Sequence, residues 1–147
     1  MTDPLFTRPY DIAVARLHDA GGHLEALPIA LQTLLVVEAA QLMIDSGGLA
    51  YFYEADFPNN PAYAAFAAAY RRIGAESAAD CIERTAAMFP FGDPELFEPL
   101  RLLWLEKLGQ DPQGEFRRLS DRISGDGSVW TLLDAYVQAH RHAFADA

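Results

Sequence analysis

Residues Pro28 to Ile44 form an apolar run of about 17, interrupted only by Gln32, Thr33, Glu38 and Gln41. Read as a helix, it places Leu31, Leu34, Leu35, Val36, Val37, Leu42, Met43 and Ile44 on nearly every side. Such a helix has no face to offer water, so it must sit at the centre of a bundle or in a bilayer. A carboxylate in mid-span costs about 2.5 to 3.5 kcal/mol on insertion scales, and the run is at the short limit for crossing. Glu38 therefore favours a buried helix in a water-soluble fold. Pro28 suits its first turn, and Gly47 and Gly48 stop it after Asp45.

Proline and glycine cut the remaining chain into periodic pieces. A modest helix from Pro9 to Ala20 is closed by Gly21 and Gly22. The aromatic stretch Leu49 to Tyr53 reads as either a short helix or a strand. Asn60-Pro61 has the form of a helix cap and first turn, before Tyr63, Phe66, Ala67, Tyr70 and Ile73 at helical spacing and a stop at Gly74. A helix over 75–89 carries the stripe Ala75, Ala78, Ala79, Ile82, Ala86 and Phe89, suited to close helix contact. Asp93-Pro94 and Asp111-Pro112 repeat the cap signal. The first opens a helix with Phe97, Leu100, Leu103, Trp104 and Leu108 inward; the second opens a short one with Phe116, Leu119 and Ile123 inward. A last helix, 128–144, buries Val129, Leu133, Tyr136, Val137, His140 and Phe144. The fold class expected is all-α: one domain over residues 1–147, a single compact bundle of seven or eight helices around the central helix 28–45.

Charge narrows the function. Eleven Lys and Arg against 21 Asp and Glu leave a net charge of −10. That balance opposes binding to phosphate backbones and anionic membrane surfaces, so neither nucleic acid nor membrane is an expected partner. With Cys81 the only cysteine, no intramolecular disulfide forms, and a reducing, cytoplasmic location is expected; Met1 to Tyr10 does not read as a signal peptide.

Patterns for catalysis are missing. No glycine-rich phosphate loop follows a strand signal, and His140 and His142 point to different sides of a helix, so neither cofactor nor metal is expected. His140 reads as a core histidine bonded to a carbonyl, Cys81 as a packing residue, and Ser46, Ser77, Ser120, Ser124 and Ser128 as caps near helix ends. No enzyme is expected. The carboxylates remain. From Leu17 to Tyr70 there are six, Asp19, Glu25, Glu38, Asp45, Glu54 and Asp56, with no Lys or Arg. Further on, Glu76, Asp80 and Glu83 share one helix face and Glu95, Glu98 and Glu106 another. The second row spans about 16 Å, roughly one charge per 5 to 6 Å, against about 3.4 Å along a DNA strand, so several rows must combine to imitate DNA.

One stretch has a recognisable order: Glu38 in an apolar helix, Asp45-Ser46-Gly47-Gly48-Leu49, the pair Phe52-Tyr53, then Ile73-Gly74-Ala75 and a helix ending Met88-Phe89-Pro90. Over residues 37–90 it resembles a bacterial family of small helical domains whose named member is a DNA mimic protein. Gly47, Gly48 and Ile73-Gly74-Ala75 match as they stand, while Asp45 and Ser46 stand where the family has Asn. The resemblance implies an all-helical, dimeric fold without enzymatic activity, which presents carboxylates where phosphates would be. Glu38, Gly47, Gly48 and Gly74 would be its structural marks in this chain.

Two functions remain open. The first is a non-enzymatic acidic domain that docks a basic, DNA-binding protein through a surface of Glu54, Asp56, Glu76, Asp80, Glu83, Glu95, Glu98 and Glu106. The second is a small-molecule pocket built from Tyr51, Phe52, Tyr53, Phe57 and Tyr63 beside a buried Glu38. An ordinary solvated acidic face accounts for the charge equally well.

Overall fold

The computed structural model describes residues 4–145, with side chains from residue 9 onward. Seven α-helices occupy them: α1 (Pro4–Asp19), α2 (Ile29–Glu54), α3 (Tyr63–Arg72), α4 (Glu76–Ala86), α5 (Glu98–Leu108), α6 (Glu115–Ile123) and α7 (Gly127–Ala139). Short 3-10 turns lie at Leu24–Ala26, Pro94–Leu96 and Arg141–Phe144, and there is no strand among the described residues. The architecture is all-α, as the periodicity predicts.

The apolar run does become the centre. α2 packs against α1, α3, α5, α6 and α7, and 12 of its 26 residues are buried. By length and composition it could cross a bilayer, yet here its apolar sides are taken by five other helices. Leu42, expected inside, is 51% exposed, because no neighbouring helix covers that side of α2.

Gly47 and Gly48 break α2 rather than end it. Gly48 has φ +74° and ψ −172°, a conformation that only glycine adopts cheaply, and Gly47 leaves the helical region at φ −152° and ψ 18°. A Cβ on Gly47 would lie 2.7 Å from the Tyr51 side chain. The chain then resumes as a short helical piece through Leu49–Glu54, resolving the helix-or-strand choice in favour of helix. The backbone N–H of Leu49, freed by the break, donates to Ser120 Oγ of α6 at 2.9 Å. Ser120 is thus a cap in trans for a helix 71 positions away, not for its own.

A polar network joins α2 to its neighbours. Tyr70 Oη donates to Gln41 Oε1, and Gln41 Nε2 donates to Asp45 Oδ1 and to the Ile123 carbonyl. Asp45 also accepts from the Gly125 N–H at 2.8 Å and from Trp130 Nε1 at 2.9 Å. The buried Gln41 and the exposed Asp45 therefore fasten α2 to α3, α6 and α7, and Gln41 has the partners a buried amide requires. Asp45, where the resembling family has Asn, acts here as an acceptor only.

Three cap expectations need correction. Asn60 and Asp93 both lie in the left-handed region, at φ 42° and 52°, and cap nothing; α3 starts at Tyr63 and α5 at Glu98. Asp111 receives the Gln113 N–H in a turn, and α6 starts only at Glu115. An Asx-Pro pair suits a turn as well as a helix start, and the turn won each time. The cap that does form is Asp126, which accepts from Ser128 N ahead of α7.

The largest difference is in α5. Phe97, Leu100 and Leu103, inward by their spacing, are instead 50%, 40% and 52% exposed. Arg101 and Leu105 take the inward side, Arg101 without any exposed surface. Its Nε donates to the Tyr53 carbonyl at 2.7 Å, Nη1 to the carbonyls of Pro94 and Glu95, and Nη2 to Asp56 Oδ1 at 2.8 Å. The guanidinium ties the last turn of α2 to the start of α5. Only a planar fork of donors reaches so many acceptors at once, which is why arginine turns inward past three leucines.

Candidate functional site

The bundle sorts the eight carboxylates of the expected surface into two groups. On α4 they are countered. Arg71 Nη2 meets Glu83 Oε1 at 2.6 Å and its Nε lies 3.7 Å from Glu76; Arg84 reaches Asp80 at 3.4 Å and Glu115 of α6. The Arg71 bond holds Glu83 below the usual carboxylate range. Four carboxylates share two guanidiniums, so half of their charge is opposed locally.

The end of α2 and α5 differ. Glu54, Asp56, Glu95, Glu98 and Glu106 lie there, all exposed except Glu95, which is half-buried. Glu54 and Glu106 line one open groove with Leu102 and Leu105, while Asp56 and Glu95 border a small crevice beside Tyr63. Among the described residues the only ion pair in this group is that of Asp56 with Arg101. Lys107 sits over the Trp104 ring, 5.5 Å from its centroid. The neighbouring Glu98 carboxyl, and then Arg101, hold Asp56 below its ordinary value, and Asp56 in turn pushes Glu98 up. Four exposed or half-exposed glutamates and one half-compensated aspartate thus face solvent together.

Glu38 behaves as a buried polar group. It is half-buried between α1 and α2, and its Oε2 is enclosed with no hydrogen-bond partner among the described residues. Burial, and then the Asp11 carboxylate, push it up to about 7 from the usual 4.5. Between those values the folded chain holds a proton that the unfolded chain has released, so stability present below pH 4.5 is lost as pH rises to 7. Replacing Glu38 by glutamine is expected to flatten this loss and to stabilise the protein by about 1–2 kcal/mol at pH 8, partial exposure screening the rest. Urea denaturation at pH 4, 6 and 8 measures it. A wild-type stability that rises over that window would contradict the assignment.

The aromatics expected around a pocket lie about four turns along α2 from Glu38 and pack on one another. Phe52 lies 5.0 Å from Tyr53, 5.6 Å from Tyr63 and 5.1 Å from Phe66, centroid to centroid, and Tyr53 lies 4.8 Å from Tyr63. Phe52, Tyr53 and Tyr63 are buried, with Tyr53 Oη bonded to Thr85 and the Ile82 carbonyl, whereas Tyr51 is 45% exposed. These rings fill the space a pocket among them would need. A half-open apolar cavity of about 180 Å³ lies instead beyond Phe57, against Tyr10, Val14, Leu35, Val36 and Phe66.

The remaining candidates are structural. His140 donates from Nδ1 to the Tyr136 carbonyl at 2.8 Å and stacks on that ring. Cys81 is buried, and desolvation pushes its thiol up. No group of three or more His, Cys, Asp or Glu is placed to hold a metal ion among the described residues. Sequence reasoning missed Arg101, Gln41 and Ser120. For Arg101 a signal existed, since it is the one charge inside the apolar segment Pro99 to Leu105.

Residues 25–140 match the family model described as DMP19-like protein. No curated protein and no solved structure matches the chain. The family match contains α2 through α7, with the broken helix at Gly47-Gly48 and the Ile73-Gly74-Ala75 turn inside it. The chain therefore belongs to the DMP19-like protein family.

Proposed function

We propose that this protein is a non-enzymatic acidic binding domain that occupies the DNA-binding surface of a basic protein, within the cytoplasm. One observation carries the reading: of the five carboxylates at the end of α2 and beside and on α5 only Asp56 has an ion pair, whereas the four around α4 all lie within reach of two shared arginines. Under this reading the carboxylates at that end of the bundle steer a cationic partner and discriminate against anionic ones. The resemblance to a DNA mimic and the family match agree with it. The docking residues under this reading are Glu54, Asp56, Glu95, Glu98 and Glu106; Glu76, Asp80 and Glu83 contribute less, their charge being partly met locally.

The test uses basic proteins retained on heparin, offered to the full chain at about 50 and about 300 mM salt, with duplex DNA as competitor. Binding is expected at low salt, with displacement by DNA and loss on substituting Glu54, Glu95, Glu98 and Glu106 together by glutamine. Binding indifferent to salt, or untouched by DNA, refutes the reading.

A further inference from the structure

α5 is apolar on two sides, and the bundle uses one. Leu105 and the stem of Arg101 face the core, while Leu96, Phe97, Leu100, Leu102 and Leu103 are 56%, 50%, 40%, 39% and 52% exposed. Five of the nine large exposed hydrophobics among the described residues fall within these eight positions. Leu100 and Leu103, three apart, share one side of α5, and Leu96 and Phe97 precede them from the 3-10 turn and the junction before the helix. A contiguous apolar stripe on a soluble domain marks a surface made to be covered.

Its surroundings say by what. The chain around the stripe carries Asp93, Glu95, Glu98 and Glu106, with Glu54 across the adjoining groove, against the single exposed cation Lys107. A second copy laid on this stripe would bring two such acidic rims together, and an anionic membrane would meet the same repulsion. A helix with apolar residues at i, i+3 or i+4 and i+7, flanked by Lys and Arg, satisfies both the stripe and the rim.

We propose that the outward side of α5, with the adjoining groove at Leu102, docks a basic amphipathic helix, seated by its apolar face on Leu100 and Leu103 and held by Glu54, Glu98 and Glu106. This rests on the reading of the protein as an acidic binding domain and adds to it a contact that DNA imitation alone does not supply. Charge sets the rate of encounter; the leucines set how long the complex lasts.

The probe is a helical peptide of about 18 residues with leucines along one face and lysine and arginine beside them, compared with a scrambled peptide of the same composition. Both are titrated into the full chain at about 150 mM salt, following binding calorimetrically. The scrambled peptide is expected to bind about tenfold more weakly or worse. Leu100→Gln with Leu103→Gln should weaken the amphipathic peptide by a similar factor with the thermal midpoint unchanged, since both side chains are exposed in the free protein. Leu42→Gln, exposed on α2, should leave binding as it was. Equal affinity for the two peptides, or no effect of the α5 pair, overturns the proposal. So does a wild-type dimer in sedimentation that the α5 pair dissociates, which would make the occupant a second copy. If the peptide results hold while DNA competition fails, the DNA-like reading falls and the groove stands. Salt-sensitive binding that is lost with the glutamates but indifferent to the leucines does the opposite: the groove falls and the acidic surface stands.

Discussion

Substituting Arg101 by alanine should cost about 3–5 kcal/mol in urea denaturation, a large share of the stability of a domain this size. The side chain has no exposed surface and donates to the carbonyls of Tyr53, Pro94 and Glu95 and to Asp56. Removing it leaves a void and several acceptors without donors, on the joint between α2 and α5. Arg101→Lys should recover little, because an ammonium cannot reach acceptors spread around a planar fork. Asp56→Asn should cost less than either, since Asp56 is exposed and water replaces its share. Near-native stability in the Arg101→Ala protein would show that α5 is held by its leucines instead, against the burial pattern.

Gly48→Ala is expected to destabilise by about 2–4 kcal/mol. The φ of +74° with ψ near 180° strains any side chain, and a Cβ there would lie 2.7 Å from Ser120 Oγ. That hydroxyl cannot withdraw freely, because it accepts the Leu49 N–H. A double-mutant cycle with Ser120→Ala separates the two parts: removing the hydroxyl should relieve the clash but not the backbone strain, giving a coupling of about 1 kcal/mol. Additive losses would mean that Ser120 and Gly48 do not press on each other.

Both positions bear on how much of this fold is legible in its sequence. Gly47 and Gly48 signal a break in the helix by composition alone. That the break is bridged by Ser120, 71 positions on, follows no local rule. The inward sides of α6 and α7 are likewise readable, since Phe116, Leu119 and Ile123, and Val129, Leu133 and Val137, recur at helical spacing and are buried. On α5 the same reasoning fails for a physical reason. With leucines on nearly every side, spacing does not choose a face, and the choice falls to the residue with most to satisfy, Arg101. The candidate site follows the same pattern: two acidic rows of equal promise in the sequence become one half-countered row and one more open one.

The chain's own letters determined that it is built of helices and that α2 lies at the centre, because propensity and apolar spacing act over a few residues. Which carboxylates keep their charge was decided only by the packed structure. The arginines that answer them come from 12 positions away for Arg71 and Glu83, 31 for Arg84 and Glu115, and 45 for Arg101 and Asp56. Coulomb attraction depends on separation in space, and that separation exists only once the helices have packed.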